Sequence, residues 1–177
     1  YILFVGSRYS YKNFNRFIEA FSLLAQKDSK LYLICTGNKF SQGEEDKLSK
    51  LHIKNKTLQI NASDKELSEL YTRASLFVFP SLYEGFGIPI LEAYACHCPI
   101  AISNTSCFPE IAGDAAIYFD PYSVKDIANT IEAIIYNPQK ANELIQKGIK
   151  RLELYSWEKT VVETEETYKK AIQGYNF

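Results

Sequence analysis

Short apolar runs alternate along the chain with longer stretches in which apolar residues recur every three or four positions. The short runs predict six strands, at residues 1–5, 31–36, 57–60, 75–80, 99–102 and 115–119. Runs such as YILFV and LFVF are apolar at every position, so both faces of these strands should be covered. The pattern predicts an α/β fold, a doubly wound Rossmann-like parallel sheet of about six strands with helices on both sides.

The helical stretches lie between these strands, and three more follow the last strand. The first shows its apolar side from Phe14 to Leu24, and others are predicted at 42–51, after Ser63 or Asp64, either of which could cap the helix, and from about 88 to 97. The remaining helices are predicted at 124–136, 139–154 and 157–172. The last has an abundant acidic face, so it is either a solvated helix or a strut to another domain.

Composition limits the number of domains and the kinds of partner. A chain of 177 residues, 46% hydrophobic and 23% charged, fits one domain, and we expect residues 1–177 to form a single unit. The net charge of -1 provides no general basic field for nucleic acid. The sequence lacks methionine, from which we expect a fragment or processed chain without its N-terminal neighbour.

Four cysteines, Cys35, Cys96, Cys98 and Cys107, raise the question of a metal site. Residues one and two apart on a helix point in different directions, and the two spaced ligand pairs typical of zinc sites are missing. Small buried thiols are common in protein cores. We therefore expect no metal.

The loop GSRYSYKN follows the first strand, where a parallel sheet places its ligand crevice. Gly6 ends the strand, and Arg8 and Lys12 precede a helix, where two cations suit a phosphate group. The alternative is that both are solvated surface charges. The loop matches neither the Walker A pattern nor GxGxxG, which disfavours a dinucleotide dehydrogenase. Two further loops, with Gly37 and with Asn61, have ordinary turn chemistry.

The stretch SLYEGFGIPILEAYA contains the most specific pattern. Gly85 and Gly87 allow close approach of the backbone to a ligand, and Pro89 suits a first helical position. The amides of Phe86, Gly87, Ile88 and Ile90 are expected to cluster at the helix start, where partial positive charge attracts phosphate.

Two glutamates, Glu84 and Glu92, flank this turn. As structural features they would be an exposed loop acid and a carboxylate that interacts with the helix dipole. As functional groups they would accept hydrogen bonds from pairs of sugar hydroxyls, beside amides and cations that hold phosphates. No Asp-x-Asp sequence is present to place a divalent cation on a diphosphate. Arg8, Lys12 and the amides would then have to neutralise the leaving group.

The segments FVGSRYSYKN, ASDKELSELYTRASLFVFPSLYEGFGIPILEAYACHCPI, SCFPEIAGDAAIYFDP and YSWEKT together resemble the C-terminal domain of retaining glycosyltransferases of family 4. The spacing of glutamate, seven residues and glutamate within PSLYEGFGIPILEA is the most specific piece. The resemblance implies the donor-binding lobe of a two-lobed GT-B enzyme, with the acceptor-binding N-terminal lobe missing. It also implies a cytoplasmic enzyme, with peripheral attachment at the inner membrane face left open.

The resemblance implies roles for individual residues. Glu84 would contact the transferred sugar, Glu92 the ribose, and Arg8 and Lys12 the diphosphate, so Arg8, Lys12 and Glu84 are the catalytic candidates. The donor-binding candidates are Gly6, Asn61, Phe86, Gly87, Ile88, Leu91 and Glu92.

The same resemblance implies the substrates and the chemistry. The donor would be a UDP-sugar or GDP-mannose, used without a cofactor or metal, and the acceptor a saccharide or a lipid-linked acceptor. The isolated chain would bind donor weakly and transfer nothing, and the helix at 157–172 would contact the absent lobe.

Two departures and two rival functions remain. Asn61 stands where the family often has glycine, which leaves the base-binding loop less defined, and Lys12 is a safer assignment than Arg8 because the spacing of this pair varies. A nucleotide-sugar epimerase lobe is one alternative, although it would be expected to carry a histidine or acid for deprotonation. A non-catalytic Rossmann-like nucleotide-binding module is the other, and it should tolerate loss of Glu84.

Overall fold

A single parallel sheet of six strands organises the chain. The computed structural model describes residues 1–174, and its strands are β1 (Ile2–Phe4), β2 (Leu33–Thr36), β3 (Thr57–Ile60), β4 (Leu76–Phe79), β5 (Ile100–Ser103) and β6 (Ile117–Phe119). All five strand pairings are parallel, in the order β3-β2-β1-β4-β5-β6. The doubly wound parallel sheet predicted from the sequence is confirmed.

The strand order reverses direction next to β1. The chain starts at β1 in the middle of the sheet, runs outward through β2 to β3, and returns to place β4 on the other side of β1. Loops leaving β1 and β4 therefore diverge to opposite faces and leave a crevice at their carboxyl ends, where open α/β sheets bind ligands.

Eight α-helices cover the sheet or extend from it in the described part of the chain. They are α1 (Phe14–Lys27), α2 (Gln42–Lys50), α3 (Asp64–Arg73), α4 (Ile88–Ala95), α5 (Phe108–Ala112), α6 (Val124–Ile135), α7 (Pro138–Leu152) and α8 (Trp157–Gly174). The predicted cap is confirmed at Ser63, whose hydroxyl accepts from the Glu66 amide while the Glu66 carboxylate accepts from the Ser63 amide. Helix α5 was not predicted, because five residues are too few to show a period.

Alternation along the strands divides the core into two layers. In β1, Ile2 and Phe4 pack on the face covered by α1, α2 and α6, whereas Leu3 packs on the face covered by α3, α4 and α5. Both sets are fully buried, which explains why the strand sequences are apolar at every position. Helices therefore cover both faces of the sheet, and the loops that carry the candidate site residues leave from its carboxyl edge.

The four cysteines are free thiols, and their surroundings differ. Cys35 and Cys98 are buried, as predicted for core thiols, and burial raises the pKa of Cys98 to about 12. Cys96 and Cys107 are only half-buried. Within residues 1–174 no three His, Cys, Asp or Glu side chains form a group that could hold a metal ion.

Helix α8 differs from the others because none of its residues is buried. Its apolar side chains include Trp157, 74% exposed, and Ile172, 73% exposed. The other helices bury at least one residue each against the sheet or a neighbouring helix. Within residues 1–174 no helix is both long and apolar enough to cross a membrane.

Candidate functional site

The loop after β1 brings Lys12 back over the end of the strand. Gly6 leaves the strand with φ of 106°, and a single turn of 3-10 helix spans Ser10–Lys12. Asn13 follows in the left-handed region, and its buried side-chain amide donates to the Pro121 carbonyl at 2.7 Å. The turn and this anchor fix where the Lys12 side chain starts.

The loop after β4 turns sharply at Gly87 into helix α4. Gly87 has φ of 97°, and a Cβ there would lie 3.2 Å from both Ile90 and Phe108, so glycine is needed for conformation and for space. No side chain caps α4, and no acceptor is present among residues 1–174 for the amides of Phe86, Gly87 and Ile88. These amides form an open helix N-terminus.

One amide of the predicted cluster, that of Ile90, is not free to bind a ligand. The Ile90 amide donates to the Gly87 carbonyl at 2.9 Å, so the prediction that it joins the open group is wrong. The physical reason is that the first turn of the helix closes on itself early, as tight first turns often do.

Lys12 and Glu84 meet across the crevice between β1 and β4. Lys12 Nζ lies 2.7 Å from Glu84 Oε1, and the two side chains are 12% and 15% exposed. The ammonium also lies 5.0 Å from the centre of the Phe79 ring, and the Leu82 amide donates to the Tyr11 carbonyl at 2.7 Å. Two predicted catalytic residues from separate loops are therefore brought into one partly dehydrated pair, and Glu84 is not an exposed loop acid.

Several polar atoms at this edge are buried without a hydrogen-bond partner. Glu84 Oε1 is near the Lys12 ammonium, but the pair is not aligned as a hydrogen bond, and no other group in the described residues donates to this oxygen. The hydroxyls of Ser81 and Ser103, just beyond β4 and at the end of β5, are also buried and unpaired within residues 1–174. Buried polar atoms are seldom left unpaired, so this edge is suited to a polar ligand or bound water.

Three consecutive residues after β5 hold the Glu84 loop in place. The Thr105 hydroxyl donates to the Ser81 carbonyl, and the Ser106 hydroxyl donates to the Glu84 carbonyl at 2.6 Å. The Cys107 thiol lies 3.3 Å from the Glu84 carbonyl and 3.0 Å from the Phe86 carbonyl. We call Thr105, Ser106 and Cys107 the β5 clasp. The sequence did not predict it, because it joins residues from two different loops.

Glu92 lies on α4 beyond its first turn, which weakens its interpretation as a helix-dipole carboxylate. Its Oε2 accepts a hydrogen bond of 3.0 Å from the hydroxyl of Tyr71 on α3. Tyr71 lies on the apolar face of its helix, and its ring is buried. The contact between the hydroxyl and Glu92 was missed, since a tyrosine in an apolar stripe looks like any other core residue.

The Arg8 side chain binds protein acceptors, although its sequence position made it a candidate for binding phosphate. Its Nε donates to Glu44 at 2.7 Å, and its other nitrogens donate to the carbonyls of Thr36, Asn38 and Lys39. The side chain is 5% exposed and lies 4.7 Å from the ring centre of Phe40. The structure thus connects Arg8 to the loop after β2 and does not pair it with Glu84.

The loops after β2 and β3 approach the same edge. A Cβ at Gly37 would lie 2.8 Å from the Gly6 carbonyl oxygen, and the Gly6 amide donates to the Thr36 hydroxyl. Asn61 follows β3 and is exposed. Leu91 is half-buried and packs against the core beneath α4. Gly6 and Gly37 therefore bring two loop backbones together, while Asn61 lies at the open side.

The arrangement combines a cation, a carboxylate and an open helix N-terminus at the strand-order reversal, with a second carboxylate, Glu92, one turn further along α4. Lys12 and the amides of Phe86, Gly87 and Ile88 attract negative charge. Glu84 and Glu92 provide acceptors for neutral hydroxyl groups. Such a site is suited to a ligand that contains both phosphates and sugars.

Comparison with known proteins identifies the class. A profile described as "Glycosyl transferases group 1" matches residues 1–151. The chain is 32% identical over 176 residues to the O-antigen chain mannosyltransferase B of Escherichia coli, and the match covers 96% of this chain and 45% of that protein. This chain therefore belongs to the glycosyl transferases group 1 family, and it spans less than half the length of that relative.

Solved structures agree on the fold. A glycosyltransferase from Rickettsia africae superposes with a TM-score of 0.83 at 19% identity, covering 99% of this chain and 48% of that one. The C-terminal domain of a glycosyl transferase group 1 family protein from Francisella tularensis gives a TM-score of 0.76 at 23% identity, covering 87% and 85%. The fold of this chain is thus the Rossmann-like fold of a glycosyltransferase lobe.

Proposed function

We propose that this chain is the donor-binding lobe of a retaining GT-B glycosyltransferase of family 4, with residues 1–177 as one unit. The observation that carries the proposal is the pairing of Lys12 with Glu84 at the reversal between β1 and β4. A cation and a carboxylate from two loops, beside unpaired amides, are the groups needed for a nucleotide-diphosphate sugar.

Lys12 and the amides of Phe86, Gly87 and Ile88 hold the diphosphate. The low exposure of Lys12 strengthens its attraction for phosphate oxygens relative to a solvated lysine. Gly85 and Gly87 let the backbone come close to those oxygens. Arg8, the second predicted cation, would have to exchange its bonds to Glu44 and the β2 loop before reaching the ligand.

The two carboxylates select the sugar portions of the donor. Glu84 accepts hydrogen bonds from hydroxyls of the transferred sugar, which replace its contact with Lys12. Glu92 accepts from the ribose hydroxyls. Asn61, Gly6 and Leu91 line the remainder of the donor site, with Asn61 toward the base.

Transfer breaks the bond between the anomeric carbon and the diphosphate oxygen and forms a bond from that carbon to an acceptor oxygen on the same face. The acceptor proton passes to the leaving phosphate. Lys12 and the helix amides stabilise the negative charge that develops on this leaving group, so no metal is needed. Lys12 and these helix amides are the catalytic groups.

The transferred sugar is a hexose of the mannose or glucose type, carried by GDP or UDP. Mannose is supported by the relative from Escherichia coli, which is named a mannosyltransferase. The acceptor is a saccharide or lipid-linked saccharide, held mainly by a second lobe. In the intact enzyme the exposed apolar residues of α8 pack against that lobe, and the isolated chain transfers nothing.

Calorimetric titration of the chain with UDP, GDP, UDP-glucose and GDP-mannose tests the proposal. We expect one of these ligands to bind, and Glu92→Ala to weaken its binding. A wild-type chain that binds none of them would refute the donor-lobe function. In the full-length enzyme, turnover should survive a chelator, and loss of activity in the chelator would contradict the metal-free mechanism.

A further inference from the structure

The hydroxyl of Tyr71 is a polar group in the buried core that packing alone does not explain. The ring lies in the core beneath α3 and α4, 1% exposed, with its edge against the Phe77 ring at 5.2 Å between centres. A phenylalanine would fill the same space. The hydroxyl adds a polar atom to an apolar layer, which is unfavourable unless that atom finds a partner.

Its partner within the described residues is the carboxylate of Glu92. The hydroxyl donates to Glu92 Oε2 at 3.0 Å, and no hydrogen bond to the other oxygen, Oε1, is present among residues 1–174. Burial, and then the charge of Glu92, raise the pKa of Tyr71 above its ordinary value. The hydroxyl therefore stays protonated and remains a donor at any physiological pH.

We propose that Tyr71 is a positioning residue for nucleotide recognition, which fixes the Glu92 carboxylate so that its free oxygen can accept from the ribose. The inference rests on the proposed ribose role of Glu92. A tyrosine ring that is locked by packing has little rotamer freedom left, so its hydroxyl is a rigid anchor for a glutamate that would otherwise sample several rotamers. Specificity for ribose over deoxyribose then depends on Tyr71, although Tyr71 itself touches no ligand.

The test compares ribonucleotides with their 2′-deoxy counterparts on the same chain. GDP, UDP, 2′-deoxy-GDP and 2′-deoxy-UDP are titrated into wild type and Tyr71→Phe, using whichever base binds. We expect Tyr71→Phe to weaken ribonucleotide binding by about threefold to tenfold, the typical net effect of one lost hydrogen bond. The 2′-deoxy nucleotide keeps only its 3′-hydroxyl for Glu92 and should lose less affinity, so the discrimination ratio should fall.

Tyr94→Phe is the matched control. Tyr94 is also buried, and its hydroxyl donates at 3.5 Å to the Ala112 carbonyl rather than to Glu92. Tyr94→Phe should leave the discrimination ratio unchanged. Thermal melting of both variants then shows whether they have lost similar stability.

The outcomes separate this inference from the proposed function. If Tyr71→Phe weakens both nucleotides equally, or changes neither, Tyr71 is a structural residue and the inference is overturned. If Glu92→Ala leaves the discrimination ratio unchanged, or wild type shows no discrimination, the ribose role of Glu92 is itself wrong. Loss of the ratio in Glu92→Ala together with its reduction in Tyr71→Phe supports both.

Discussion

Lys12 Nζ and Glu84 Oε1 lie 2.7 Å apart, although one residue follows the first strand and the other follows the fourth. The contact exists because β4 pairs directly with β1, so loops far apart in sequence leave the sheet side by side. An ion pair that is mostly buried is costly in free energy unless it has a use or good compensation. We interpret this pair as the ligand-free form of a donor site, in which Lys12 and Glu84 contact each other until a bound ligand replaces that contact.

Replacement of Lys12 by methionine should abolish most transfer while keeping much of the hydrophobic side chain. We expect turnover of the full-length enzyme to fall by about 100- to 1,000-fold, the usual loss when one group that stabilises developing charge is removed. Lys47→Met is the control, since Lys47 pairs with Glu19 at 2.6 Å on the surface of α1 and α2. Steady-state kinetics and thermal melting of both variants separate catalysis from folding. Near-normal turnover of Lys12→Met would exclude the proposed role.

Glu44 should contribute stability that disappears in acid. Burial alone would raise the pKa of Glu44, but bonds from the Ser41 amide, the Arg8 guanidinium and the Ser41 hydroxyl hold it below its usual range. A pKa lowered by folding gives stability that is present above the unfolded value of about 4.3 and is lost as pH falls through the folded value.

The pH dependence of Glu44→Gln measures this contribution. The difference in free energy of unfolding between wild type and Glu44→Gln should be largest near neutral pH and should shrink below about pH 4.3. Glu45→Gln, on the same helix, removes a carboxylate from a more exposed pair with Lys54 and serves as control. Urea unfolding at several pH values gives both differences. A Glu44→Gln difference that stays constant with pH would argue against the Arg8 contact.

Gly37 should tolerate no side chain. It has φ of 100°, and a Cβ would lie 2.8 Å from the carbonyl oxygen of Gly6. Gly37→Ala is therefore expected to lower the free energy of unfolding by about 1 to 3 kcal/mol. Gly43→Ala, in helix α2 with open space around it, should be neutral or stabilising by up to about 1 kcal/mol. Equal effects in urea unfolding would mean that the two loops are not in close contact.

The β5 clasp should strengthen donor binding by positioning the Glu84 loop. Cys107→Val keeps the size of the side chain but removes its donor to the carbonyls of Glu84 and Phe86. We expect donor binding to weaken by roughly threefold to tenfold, the effect of about one hydrogen bond. Cys107→Ser keeps a donor and should restore most of the affinity. If both variants titrate like wild type, the clasp does not position the loop.

The sheet could be predicted because its strands are buried on both faces, which leaves a clear apolar signal in runs such as LFVF of β4. Glu84 and Glu92 could be singled out because a glycine turn and a proline mark the start of α4. The residues that contact Glu92 and the Glu84 loop could not be predicted. Tyr71 and the β5 clasp reach the site only through packing of α3 on α4 and of β5 beside β4, and no local pattern encodes those distances.

Arg8 shows the same limit of prediction from sequence, because a residue proposed for the ligand site has structural contacts instead. Its position in a loop after β1 made it a candidate for phosphate binding, but side-chain direction depends on what surrounds it. Here Glu44 and three carbonyls, those of Thr36, Asn38 and Lys39, offer the guanidinium acceptors for four of its five N–H donors. Fork-shaped guanidinium groups are well suited to such sites. Sequence position alone does not distinguish that structural use from ligand binding.

A crystal structure of the chain with GDP-mannose or a UDP-sugar, whichever binds, tests the donor-lobe function most directly. We expect the diphosphate to lie between Lys12 and the amides of Phe86, Gly87 and Ile88, with the sugar at Glu84 and the ribose at Glu92. A nucleotide bound elsewhere on the sheet edge, or a diphosphate that avoids Lys12 and the start of α4, would contradict the proposed donor site.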